Sequence, residues 1–429
     1  MKKLAVVLVL ALAMVLVSAV AAQPSTYNTG FQVANLSGDP AEITIQYVNQ
    51  DGTVNATVSD TVPANDSTTY FPIGADAGFN GSVVISSDQP VAAIANVLGD
   101  GFAFGDSYSS FTQGADTMNL PLIMKGNFGF NTWFNVQNAS APNGDSVAVT
   151  ITYAGTTCEE TATIAAGAAA TFNQATNACL PNGYVGAATI SATGGEVVAA
   201  VIQAGPTTLF AYNGFTDGSS DPVMPLVQGN NFGYFTGIQV QNTGSEATDV
   251  TVSYVAGASG DNCTQGATIP AGASATFVDC SDMDVSTFVG GASVAANTAN
   301  QPLVAIVNQL NIPQGKGAAY NAFDPAMATS NVNFPLIMRD NFGFFTGFNI
   351  YNAGMASADV TCTFSGTGGP ATVNETVAAG ETLTAVQTGS GPYVGSVQCT
   401  ADGGSLVGVA NQLSSAAGDN LFAYGGFNQ

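Results

Sequence analysis

The sequence predicts an all-β chain built from four repeated sandwich units behind a short leader, and three observations carry that prediction. One pattern of strands recurs at spacings of 103, 104 and 110 residues. Within each recurrence, apolar residues alternate with Thr, Ser or Gln at period two, the mark of a strand buried on one face. Turn-forming residues are dense, with 50 Gly and 18 Pro in 429 residues, and they fall between these runs.

In chain order, residues 1–22 open with Lys2 and Lys3, run apolar from Leu4 to Val17, and end on Ala19, Ala21 and Ala22. That is the form of a secretory signal peptide cut after Ala22. A retained transmembrane anchor is the competing reading, since about 20 apolar residues span a bilayer. The small-residue ending favours cleavage. No cysteine follows the apolar run to take a lipid, and no second apolar span appears. The expectation is a secreted protein, extracellular or held at a cell surface by non-covalent contacts, with no transmembrane span in the mature chain.

The repeats then divide the chain into residues 23–118, 119–222, 223–332 and 333–429. A strand F/I-x-V/I-x-N starts at Phe31, Phe134, Ile238 and Phe348, and a second follows from Ile43, Val149, Val250 and Val360. After a Gly-containing turn come FNGSVVISS from Phe79, YVGAATISA from Tyr184, FVGGASVAA from Phe288 and YVGSVQCTA from Tyr393. Each unit closes on a Val-rich strand and the motif S/A-Y-x-x-F at Tyr108, Tyr212, Tyr320 and Tyr424. Seven or eight strands across about 104 residues is the count and length of an immunoglobulin-like β-sandwich. A solenoid would repeat every ~20–30 residues instead.

Six cysteines form three local pairs, Cys158 with Cys179, Cys263 with Cys280, and Cys362 with Cys399. In an exported chain an even count points to disulfides, and the tight C-x-x-C spacing of a metal site is absent. Each bridge would stabilise by roughly 3–4 kcal/mol in the loop-closure account. Cys362 and Cys399 stand where the second repeat has Ile151 and Ile190, the first Ile45 and Ile85, and the third Val252 and Val294. Such an exchange suggests two side chains meeting in the core, as when a bridge pins facing sheets.

The second, third and fourth units begin with PLIMKGNFGF from Pro121, PLVQGNNFGY from Pro225 and PLIMRDNFGF from Pro335; the first has no such segment. The segment belongs either to the unit after it, leaving the first unit a strand short, or to the unit before it, leaving the last one short. Either way an unpaired edge is expected that another chain could cover. Short apolar junctions also suggest a semi-rigid rod. With these motifs in view, the chain resembles exported proteins of bacterial cell surfaces built from tandem immunoglobulin-like repeats. That resemblance implies an adhesin, stalk, sheath or lattice subunit, with itself or other cell-surface proteins as partner.

The formal charge of −24 and the absence of His exclude other classes. No Ser-His-Asp relay or His-ligated zinc is possible, so an enzyme is not expected. Five Lys plus Arg against 29 Asp plus Glu would repel nucleic acid. The junction aromatics Phe128, Phe130, Trp133, Phe232, Tyr234, Phe235, Phe342, Phe344 and Phe345 read as interdomain packing, with stacking platforms for glycans as the alternative. Among scattered carboxylates such as Asp100, Asp106, Asp217 and Asp221, a calcium site on Asp279, Asp282 and Asp284 is a weak candidate because no D-x-D-x-D-G loop is present. The plainer reading is solvated acidic loops without a cofactor.

Overall fold

Strand formation follows from the alternation. In the run VAVTITY, Val147, Val149, Ile151 and Tyr153 are buried while Ala148 and Thr152 are exposed, so one face meets a core and the other meets water. The computed structural model describes residues 23–141, 144–278, 287–366, 368–387 and 391–428. The expected leader, Cys280, and Asp279, Asp282 and Asp284 lie outside these residues.

The first unit holds β1 (Tyr27–Asn35), β2 (Ala41–Asn49), β3 (Val54–Val62), β4 (Ser67–Tyr70), β5 (Gly81–Ser87), β6 (Val91–Gly99) and β7 (Phe104–Ser109). The second holds β8 (Thr117–Lys125), β9 (Asn131–Asn138), β10 (Val147–Tyr153), β11 (Glu159–Ile164), β12 (Ala169–Asn173), β13 (Tyr184–Thr193), β14 (Val197–Ala204) and β15 (Leu209–Asn213). The third holds β16 (Val223–Gly229), β17 (Phe235–Asn242), β18 (Thr248–Ser259), β19 (Cys263–Ile269), β20 (Ser274–Val278), β21 (Phe288–Ala296), β22 (Leu303–Asn311) and β23 (Lys316–Asn321). The fourth holds β24 (Asn331–Arg339), β25 (Phe344–Asn352), β26 (Ala358–Ser365), β27 (Val373–Val377), β28 (Thr382–Val386), β29 (Tyr393–Ala401), β30 (Leu406–Ser414), β31 (Leu421–Gly425) and β32 (Phe427–Asn428).

The described residues are all-β, in eight antiparallel sheets, two to a unit. The second unit sets the pattern, with sheets ordered β11-β10-β13-β8 and β12-β9-β14-β15. The third repeats it, and the fourth adds β32 beyond β24. This is not the ABED/CFG order of an immunoglobulin constant domain. The second and fifth strands pair, as do the third and sixth, but here the first strand flanks the sixth and the seventh flanks the second.

The Pro-Leu segment is the first strand of the unit that follows it, since β8 pairs with β13, β16 with β21 and β24 with β29. Each pairing is interrupted by a bulge. There Tyr212 donates its hydroxyl to Leu122 O and accepts from Leu122 N; Tyr320 and Tyr424 treat Leu226 and Leu336 alike. The terminal Tyr motif and the Pro-Leu motif are thus two halves of one clamp. The first unit has no such strand among the described residues, and its smaller sheet, β3-β2-β5, has three strands.

The disulfides Cys158–Cys179 and Cys362–Cys399 are formed. The second corrects the expectation of a bridge between facing sheets. Cys362 and Cys399 are direct cross-strand partners on β26 and β29, within one sheet. Ile45 with Ile85, Ile151 with Ile190, and Val252 with Val294 are cross-strand partners in the same way. The aligned positions correspond; their geometry is lateral.

The rod is also corrected. The last strands β7, β15, β23 and β31 lie side by side in a closed ring around one axis, so the four units surround a shared centre. Contacts close the circle, because Gln32 donates to Pro335 O and joins the first unit to the fourth. The amides Gln203 and Asn308, and Gln309 and Asn411, hydrogen-bond between neighbouring units. A rod would leave each last strand at its own sheet edge in water. In the ring, those edges face one another.

Candidate functional site

Two features stand out around this axis: a stack of polar layers inside it and a set of aromatic tips on one face. The first answers a physical demand. Each last strand is the outermost in its sheet, so its outer N–H and C=O groups have no ladder partner. Buried, each orphaned group would cost about 1–3 kcal/mol. Asp106, fully buried, meets the demand. Its Oδ1 accepts from Ser107 N (2.8 Å) and Ala423 N (3.0 Å), and its Oδ2 from Ala211 N (2.6 Å) and Ala319 N (2.8 Å). One carboxylate therefore takes an N–H from all four units. Phe210, Ala318 and Phe422 hold the corresponding positions elsewhere, since four carboxylates at one axis would repel each other.

A second layer lies one step toward the strand starts. Asp419 accepts from Leu209 N (2.6 Å), Gly317 N (2.7 Å) and Gly105 N. A third lies toward the strand ends, where Asn213 bonds to both N and O of Ser109 and Asn321 to both N and O of Asn213. Beyond it opens an axial pit of about 320 Å³, lined by Tyr212, Tyr320, Phe323 and Asp324 among others. Burial pushes the Asp106 carboxyl up, against the four N–H donors that favour its charged form. Burial likewise raises Asp419 to about 8, opposed by its backbone donors and by Lys316. The reading of the acids as solvated loops fails for Asp106, which is an internal strut.

The aromatic tips arise from the Asn-Phe-Gly segments. In each, the Asn and the residue three further on exchange two backbone hydrogen bonds, as Asn127 with Phe130, Asn231 with Tyr234, and Asn341 with Phe344. A two-residue turn of this kind puts both central residues at positive φ. Phe128, Phe232 and Phe342 accordingly have φ of 48°, 51° and 49°, followed by Gly129, Gly233 and Gly343 at 80–85°. A bulky residue in this region is strained, and Asn or Gly would hold the turn at lower cost. Yet the three Phe are 91%, 90% and 95% exposed, so no packing repays that strain. The hairpins abut the turns that lead into β15, β23 and β31: a Cβ on Gly129 would lie 2.9 Å from the Pro206 ring, Asn311 donates to Phe232 O, and a Cβ on Gly343 would lie 3.5 Å from the Ser414 hydroxyl. All three tips therefore ring the axis at the same end. The first unit, without this hairpin, presents Phe102 at its own β6–β7 turn, 5.9 Å from Phe71.

Lys125, Lys316 and Arg339, the basic residues among those described, lie at this end as well. They are spent on backbone carbonyls: Lys125 on Asn177 O and Leu180 O, Lys316 on Ala416 O and Gly418 O, Arg339 on Gly391 O and Gly368 O. Among the described residues the face thus offers aromatic rings without free positive charge.

No protein-family model, curated protein or solved structure matches this chain. Among the described residues no helix is long and apolar enough to cross a membrane, which leaves strand-built spans unaddressed.

The junction aromatics divide into three groups. Phe128, Phe232 and Phe342 point to solvent, and Phe235 and Phe345 are 38% and 39% exposed. Phe130, Tyr234 and Phe344 turn inward, with Phe130 5.8 Å from Phe210 and Phe344 5.9 Å from Phe422. Trp133 lies edge-on to Tyr27 at 5.4 Å, in a cluster of Val97, Phe104, Ile202 and Leu209 that joins the first two units. Sequence reasoning passed over Asp106 as one of a scattered set and did not single out Asp419. The available signal was Asp106 itself, an acid placed two residues before the repeated Tyr where other units carry Phe or Ala.

Proposed function

We propose that this chain is a secreted, non-enzymatic structural protein that forms or decorates an extracellular filament, sheath or surface layer, and that it makes contact through the face ringed by Phe128, Phe232 and Phe342. One observation carries this reading: three nearly fully exposed Phe held at positive φ in three equivalent turns. Strain that stability does not require is a mark of function, and large exposed apolar groups mark contact sites. Leader-like residues and two disulfides support an oxidising compartment outside the cell. The strand pairings shared with B–E and C–F support treating each unit as a variant of the immunoglobulin-like sandwich. The second reading, an adhesin or carbohydrate-binding protein, rests on the same rings stacking against sugar faces.

The test is the triple substitution Phe128→Asn, Phe232→Asn and Phe342→Asn. Asn-Gly is the preferred sequence for this turn, so the fold should be retained or strengthened. Electron microscopy over a concentration series should show ordered assemblies for the native chain and isolated four-unit particles for the variant. Glycan binding lost in the variant, without native assembly, would select the adhesin reading. A variant that assembles or binds like the native chain would overturn the role of this face.

A further inference from the structure

We infer that the first unit carries a vacant strand position along the outer edge of β5, and that its ligand is an extended apolar segment of another polypeptide adding as an antiparallel strand. The inference stands apart from the aromatic face. In the other three units the sixth strand is paired on both sides, by the third strand and by the Pro-Leu strand. Among the described residues, β5 pairs with β2 alone.

The side chains register the gap. At the place of Ile85, the other units have Ile190, Val294 and Cys399, each 0% exposed. At the place of Val83 they have Ala188, Ala292 and Val397, exposed by at most 1%. Ile85 and Val83 are both partly exposed. The clamp for a first strand is present without its object. Tyr212, Tyr320 and Tyr424 hold Leu122, Leu226 and Leu336, and Tyr108 occupies the same place in a unit with no such Leu. Phe215 and Phe323 bridge the first strands of their units at Asn119 and Val223, and Phe427 pairs with Asn333 on β24. Phe111, their counterpart, has no first strand to bridge among the described residues.

The fold also specifies what fits. Three internal examples fill the equivalent position with Leu-Pro-Leu-Ile-Met, Met-Pro-Leu-Val-Gln and Phe-Pro-Leu-Ile-Met, every residue of these runs being buried. In those units the strand lies between its own sheet and the second strand of the next unit, as β8 does against β17, β16 against β25 and β24 against β1. The vacant position therefore faces β9, and Val48 already packs into the second unit's core there. A strand with a continuous apolar run of this kind gains ladder hydrogen bonds and burial on both faces together, the logic of strand addition. The opposite edge, β3, lacks nothing the other units have, since its counterparts β11, β19 and β27 are edge strands too.

The register makes the inference testable. Ser191, which corresponds to Ser86, pairs with Thr117. A synthetic peptide of residues 117–125 carrying Thr117→Cys, added to the whole purified chain carrying Ser86→Cys, should form a disulfide-linked adduct under mild oxidation. The same peptide should not be trapped above background by Ser59→Cys, an exposed site on β3 at the opposite edge of the sheet. With the unmodified pair, amide exchange along β5 should slow when peptide is added. Equal trapping at both cysteines, trapping of a scrambled peptide, or β5 amides already protected without peptide would each overturn the vacancy.

Discussion

Replacing Asp106 with Ala tests whether the ring is held by its axis. The carboxylate accepts four backbone N–H groups at 2.6–3.0 Å, and three of them, from Ala211, Ala319 and Ala423, belong to other units. Truncation leaves those donors buried beside a void, at about 1–3 kcal/mol each. Release of a buried acid returns part of that cost, because Asp106 itself is desolvated. The net expectation is a loss of about 3–5 kcal/mol, at the top of the range for single substitutions. Asp106→Asn should be intermediate, since its amide oxygen still accepts while its NH₂ faces donors. Denaturant titration measures the loss, and amide exchange at Ala211, Ala319 and Ala423 locates it. A change below about 0.5 kcal/mol, the range of ordinary surface substitutions, with those amides still protected, would refute the account of the axis as a set of strand edges tied by one carboxylate.

Asp419, raised to about 8 by burial, binds a proton in the folded state that the unfolded chain releases near 3.8. Its contribution is fully present below about pH 4 and is lost as pH rises through about 8, so the denaturation midpoint should fall over that window in native protein and fall less in Asp419→Asn. Each Phe→Asn exchange at positions 128, 232 and 342 should stabilise by up to about 1 kcal/mol through relief at positive φ, read as a rise in melting temperature. Trp133→Ala should cost about 3 kcal/mol and raise protease sensitivity of the first unit before the others, because the ring joins the first two units. Replacing Cys362 and Cys399 together with Val should cost about 2–4 kcal/mol while preserving the fold, since the third unit uses Val252 and Val294 at the same cross-strand pair.

Several features were legible from residue order because they are local. Period-two alternation placed the strands, and positive-φ turns at Gly129, Gly233 and Gly343 fall where Asn-Phe-Gly was written. The repeat alignment matched Ile151–Ile190 to Cys362–Cys399, which are the same cross-strand pair. Which strands shared a sheet was not legible, because facing-sheet and neighbouring-strand contacts place the same apolar residues inward. The split of the aromatics was hidden for a related reason. Phe128 and Phe130 differ by two residues and by a turn, one left in water and the other packed on Phe210.

The sequence by itself determined the all-β class, the fourfold repetition and the pairing of Cys158 with Cys179 and Cys362 with Cys399, while the pairing of β8, β16 and β24 was needed to show that the Pro-Leu strand belongs to the unit that follows it. Only the tertiary structure decided that the units close around an axis instead of extending as a rod. That choice depends on buried edges finding acceptors across hundreds of residues: Asp106 reaches Ala423, 317 positions away, because four unpaired strands cannot meet in a dry interior without a shared acceptor.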